Sequence, residues 1–110
     1  MAVSIIHKRF GMIKITKLKT YDDRTIEIEY SDGVFGRFNF EDYFSYQGNL
    51  APLQDLNYFK QAKFEDNILK WNNDIDLCPD IIRSIISNEK IIIENKVVFD
   101  PALKQNAWIA

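Results

Sequence analysis

Thr25-Ile26-Glu27-Ile28-Glu29-Tyr30, then Ser31-Asp32-Gly33, then Val34-Phe35-Gly36-Arg37-Phe38-Asn39-Phe40 is one run of apolar and polar residues in alternation, interrupted by three turn formers. A period of two places every second side chain on the same face, so the run reads as two half-buried strands. The faces also set the loop length. A two-residue Asp32-Gly33 turn would pair Ile28 with Arg37 and mix apolar with charged side chains. A three-residue loop instead pairs Tyr30 with Val34, Ile28 with Gly36 and Ile26 with Phe38 on one face, and Glu27 with Arg37 on the other. That is a type I turn followed by a bulge, with Gly33 in the left-handed position and Phe35 pointing away from the core.

The flanking segments read in the same terms. Met12 to Leu18 is a strand in which Ile13 and Ile15 share a face and Leu18 falls on the other, which calls for a bulge near Thr16-Lys17. Phe40 to Phe44 forms a short helical turn, and Gln47-Gly48-Asn49 is a loop. Asp55 caps a second short helix, Leu56 to Lys60. Asp66-Asn67 turns a hairpin that sets Phe64 opposite Leu69, Ala62 opposite Trp71 and Lys63 opposite Lys70. The two lysines require an open face or an acidic neighbour. Trp71 to Asp80 is a polar loop entering an amphipathic helix over about 79–87, with Pro79 at its first position and Asp80 in its first turn. Cys78, Ile81, Ile82, Ile85 and Ile86 follow its apolar stripe, with Arg83, Ser84 and Ser87 opposite, and it stops near Asn88. Glu94-Asn95 turns a last hairpin of Ile91 to Ile93 with Val97 to Phe99. Asp100-Pro101 then caps a short helix carrying Leu103, Ala107 and Trp108.

Composition excludes more than it assigns. At 110 residues there is material for one domain, and 46% hydrophobic with 27% charged residues is an ordinary globular balance rather than that of a disordered chain. Fourteen Lys+Arg against sixteen Asp+Glu argue against direct nucleic-acid contact, which normally needs a basic excess to displace phosphate counterions. The longest apolar runs fall far short of the roughly 20 residues of a membrane helix. The N-terminal residues read as no secretory signal, and the single Cys78 suits a reducing compartment, the cytoplasm.

The landmarks Asp32-Gly33, Gly36, Gly48, Pro52-Leu53, Tyr58-Phe59-Lys60 and Trp71-Asn72-Asn73-Asp74-Ile75-Asp76-Leu77-Cys78-Pro79-Asp80 occur in this order. The chain thereby resembles the bacterial family called domain of unknown function 2442 over about residues 12–87. It carries Asn72 and Asp74 where that family usually has Pro and Gly. The resemblance implies a small α+β domain with an antiparallel sheet, often encoded beside another small protein in a toxin–antitoxin-like pair, and it supplies no catalytic residues. The expected organisation is one domain over 1–110, with residues 88–110 as a C-terminal extension whose removal leaves the core folded.

Three chemistries compete. Asp74, Asp76 and Asp80 have the look of a cation or acid–base cluster, but their spacing is not that of an EF-hand, and Asp76 capping the helix with Asp80 on its dipole is the plainer reading. Cys78 at a helix start could be a nucleophile. It lacks a base, since the only His is His7, so a partly buried structural Cys is favoured. His7-Lys8-Arg9 with Lys14, Lys17 and Lys19 could meet phosphate, though lysines along a strand edge usually guard it against pairing. Aromatics make up 14% of the chain, and an apolar surface left uncovered marks an interface. The expectation is therefore a non-enzymatic protein-binding domain, without cofactor or metal, that acts by stoichiometric association through Phe35, Tyr46, Ile91, Ile93, Val97, Phe99 and Trp108. Its partner would be a toxin-like protein or a second copy of itself. The alternatives are a mobile-element inhibitor masking a host defence nuclease, and a small metal- or thiol-dependent enzyme.

Overall fold

The computed structural model describes residues 13–72 and 74–108. They form an α+β fold of three small antiparallel sheets with short helices between them. The first sheet has the order β1-β2-β3, with β1 at Ile15–Thr20, β2 at Thr25–Tyr30 and β3 at Phe35–Asn39. Ile26 faces Phe38, Glu27 faces Arg37 and Ile28 faces Gly36. The Tyr30 N–H donates to the Val34 carbonyl at 2.8 Å, and Gly33 sits at φ +89°. This is the three-residue loop that the alternation demands.

β1 also carries the anticipated bulge. Its register shifts between Ile15 and Lys17, so Ile15 opposes Tyr30 while Leu18 opposes Ile28. One extra residue thus returns Leu18 to the face of Ile15, and both pack on the core. The strand runs on to Thr20, because Ile26 at the start of β2 supplies it with a partner.

Two one-turn helices follow, each begun by a side-chain cap. Asn39 accepts from the Glu41 N–H at 2.9 Å to start α1, Phe40–Tyr43, and Asp55 accepts from the Asn57 N–H at 2.9 Å to start α2, Leu56–Phe59. Between them Gly48–Gln54 is 3-10 helix, which takes in Gly48 and Asn49 of the expected Gln47-Gly48-Asn49 loop. Arg24 holds this segment to the first sheet by donating to the carbonyls of Leu53 and, at 2.8 Å, Gln54.

The second sheet has the order β4-β5-β6, over Lys63–Glu65, Ile68–Trp71 and Ile75–Asp76. Phe64 opposes Leu69 and Lys63 opposes Lys70, as the faces required. β6 was not foreseen. Its Asp76 lies opposite Lys70 in register, while the acidic partner that Lys70 meets is Glu65 of β4 at 3.0 Å, and Lys63 donates to the Asn72 side chain at 2.7 Å.

α3, Pro79–Ser87, buries Ile81, Ile82, Ile85 and Ile86. Burial of each stabilises the fold by roughly 1.5–3 kcal/mol relative to leaving it in water. Asn88 at φ 59° closes the helix, with the Asn88 N–H on Ile85 and the Glu89 N–H on the Ser84 carbonyl, a Schellman arrangement. Ser84, expected on the polar face, is buried, because its hydroxyl is satisfied by the Glu89 carbonyl beyond the helix end.

The last hairpin pairs β7, Ile91–Ile93, with β8, Lys96–Phe99. Glu94 and Asn95 both have positive φ, the mark of a two-residue type I′ turn. The following short helix is 3-10, Pro101–Asn106, kinked at Lys104, and Trp108 returns to bridge Phe99.

The C-terminal segment, expected as an extension, shares the main core. Phe99 and Ala107 belong to the same core cluster as Ile26, Phe40 and Trp71. The Tyr43 hydroxyl donates to the Pro101 carbonyl, and Gln105 donates to the Glu41 carbonyl at 2.9 Å. The core centres on Phe40, which stacks with Phe44 and Tyr46 and meets Phe59 and Trp71 edge-on. The Trp71 indole N–H is paired with the Phe59 carbonyl at 2.8 Å, so the ring is buried without an orphaned donor.

Candidate interaction surfaces

The outer face of the first sheet is a charged lattice that also carries the exposed ring of Phe35. Lys17 and Glu29 stand side by side at 3.8 Å, Arg37 and Glu27 at 3.1 Å, and the Tyr21 hydroxyl donates to Glu27 at 3.0 Å. Phe35 opposes Glu29 in register and is 70% exposed. Across from it, Phe64 on β4 is 39% exposed. The two rings border a groove of about 510 Å3 floored by β1 and β2, among whose walls are Thr16, Lys17 and Lys19. β4 comes close because the Ile15 N–H donates to the Asp66 carbonyl at 2.8 Å and Lys14 lies 3.8 Å from Asp66. The lysines of β1 therefore meet carboxylates and rings of this chain: Lys19 sits 5.0 Å over the Tyr21 ring.

The other candidates divide between surface and core. Ile91, Ile93 and Val97 lie on the last hairpin, with Ile93 exposed and the other two half-buried. Trp108 is exposed and packs edge-to-face on Phe99, which is itself 2% exposed and offers no surface to a partner. Phe99 sits inward because an extra residue in β8, Val98, opposite the step from Ile91 to Ile92, turns that end of the hairpin onto Tyr43. Tyr46 is half-buried; its ring stacks on Phe40, the Arg24 guanidinium lies 5.2 Å from it, and its hydroxyl donates to Glu41 at 2.8 Å. Burial and the bond to Glu41 push the Tyr46 phenol up to about 12.

The aspartate and cysteine readings change. Asp76 does not cap α3; it is on β6, and Cys78 is the N-cap, without a side-chain cap bond. Cys78 is exposed rather than partly buried, because as the cap it lies before the first helical turn and outside the isoleucine stripe. Among the described residues no three His, Cys, Asp or Glu come together as a metal site, and His7-Lys8-Arg9 lies outside those residues. No helix among the described residues is long and apolar enough to cross a membrane.

Two arginines escaped the sequence reading although they join elements far apart in the chain. Arg83 of α3 clasps Asp32 in the β2–β3 turn with bonds of 3.0 and 2.6 Å and lies 4.7 Å over the Tyr30 ring. The Arg83 bonds hold the Asp32 carboxyl below its ordinary value against the opposing effect of burial. Arg24 clamps the 3-10 segment while stacking on Phe59 at 5.1 Å. Neither leaves a local signal in sequence. Their partners are 51 and 29 to 30 positions away.

The family described as protein of unknown function, DUF2442, matches residues 15–87. The chain belongs to this family. The DUF2442 match begins on the first residue of β1 and ends on the last residue of α3, so it spans both three-stranded sheets, the short helices between them and α3. The β7–β8 hairpin and the tail lie beyond it. The DUF2442 resemblance expects Gly where Asp74 stands, and Asp74 has φ 62°, a left-handed position of the kind Gly fills without strain. No curated protein and no solved structure matches the chain.

Proposed function

We propose that this chain is a non-enzymatic protein-binding domain, antitoxin-like or regulatory, that acts by stoichiometric association with another protein. What supports this reading is the pair Phe35 and Phe64 on either side of the outer-face groove. Among the described residues nothing covers these two rings, and aromatic anchors beside a charged rim are the usual make-up of an interface centre. The rim carries both signs, with Lys17, Lys19, Glu27 and Glu29 in rows, so its charge pattern would set the register of the partner. The partner's mechanism would be blocked by occlusion, not by chemistry.

The test is site-specific photocrosslinking in native cells, with the photoreactive residue at position 35 and, as a control, at exposed position 103. The expected result is one protein adduct at position 35, absent from position 103 and lost when Phe64→Asp is added. Equal adducts at both positions, or none at position 35, would reject this interface.

A further inference from the structure

Among the described residues β7 is a free edge: it pairs with β8 on one side only, and Ile92 and Ile93, on opposite faces of the ribbon, are 59% and 57% exposed. Such an apolar edge strand is a template for strand pairing, which natural proteins usually blunt with charge, proline or a bulge on the edge itself. Here the charges stand only at the two ends, Lys90 before the isoleucines and Glu94 after them, and both are exposed.

That arrangement is self-complementary. We infer that two copies of this chain associate by antiparallel pairing of their β7 strands about a two-fold axis through Ile92. In this register Ile91 of each copy lies opposite Ile93 of the other, and Lys90, just ahead of each strand, comes up to Glu94 at the start of the partner copy's turn, so one apolar contact and one contact of opposite charges each form twice. A parallel pairing or a shift by one residue breaks the match. The turn geometry supplies the backbone groups: in a two-residue hairpin the closing pair, Ile93 and Lys96, exchanges hydrogen bonds, so the Ile92 N–H and C=O point away from β8 to the free edge. The two ribbons become one four-stranded sheet, with the Ile91 and Ile93 side chains of both copies on one face and the Ile92 pair on the other.

The association is carried by residues outside the DUF2442 match. It is independent of the Phe35 groove. Sedimentation equilibrium of the full chain over a wide concentration range should show a monomer–dimer equilibrium. Ile92→Lys, at an exposed position that leaves the fold intact by circular dichroism, should weaken it a hundredfold or more by setting two lysines against each other. Lys90→Glu should weaken it roughly tenfold, because each exposed pair turns from attractive to repulsive. Adding Glu94→Lys should then restore it, whereas Phe35→Lys should leave the dimer unchanged. A wild-type chain that stays monomeric, a dimer indifferent to Ile92→Lys, or failure of the double charge reversal to rescue would overturn the proposal.

Discussion

At the scale of single residues, two glycines separate two kinds of constraint. Gly33 has open space around it and a positive φ, so Gly33→Ala should cost only the left-handed penalty of about 1 kcal/mol. At Gly36 a Cβ would stand 3.0 Å from the backbone carbonyl of Ile86, where α3 crosses the sheet. Gly36→Ala should therefore destabilise more than Gly33→Ala, as read by urea midpoints, since a helix carbonyl cannot swing aside as a flexible side chain would. Asp32 makes a pH prediction. Its carboxyl, lowered below the ordinary 3.8 by Arg83, contributes stability that is complete above 3.8 and is lost as pH falls through the lower folded value. Wild type should lose stability across that acid window more steeply than Asp32→Asn, with little difference in slope at neutral pH. Parallel curves would mean that the Arg83 contact is not felt by the carboxyl.

Elements in this fold are short, so they depend on what ties them together. Gly48–Gln54 has no side-chain cap, and Arg24 holds two of its carbonyls. Arg24→Lys cannot reproduce the planar fork or the stack on Tyr46 and Phe59. It should cost about 2 kcal/mol, within the range for lost hydrogen bonds to a charged group, and speed amide exchange selectively at 48–54. The last hairpin is tied by Phe99, which lies among Tyr43, Trp108 and the core. Truncation to Ala should cost about 3–5 kcal/mol, the range for a buried aromatic. A loss below 1 kcal/mol would return the hairpin to the status of an appendage.

For the whole molecule, the C-terminal segment closes a core that the DUF2442 region begins. Removing residues 89–110 takes away Phe99, Pro101 and Ala107, all buried, and leaves the Phe38 and Tyr43 side of the core uncovered. The truncated chain should melt at a markedly lower temperature, or without a cooperative transition, in differential scanning calorimetry. An unchanged melting temperature would show that the core closes without its tail.

Much of this architecture was legible from local pattern, for definite reasons. Alternation at period two dictates faces, so the β2–β3 register, the β1 bulge, the Lys63–Lys70 pairing and the outward Phe35 all follow from which side chains avoid water. Caps and turns are local too: Asn88 ending α3, Asp55 starting α2 and Glu94-Asn95 turning the last hairpin depend on a few neighbouring backbone groups. β6 was missed because two residues carry no period, and its existence depends on Trp71 and Lys70 being in place to pair with it. Ser84 and Cys78 exchanged their expected environments because burial of a hydroxyl depends on a distant acceptor, and exposure of a thiol on where the first helical turn begins. The division falls between short range and long range. Hydrophobic periodicity and backbone sterics act within a few residues and set strands, turns and faces. Folding alone brings Arg83 to Asp32, Arg24 to Leu53 and Phe99 to Tyr43, and sets Phe64 across the groove from Phe35, because residues far apart in the chain come together only once the sheets have packed.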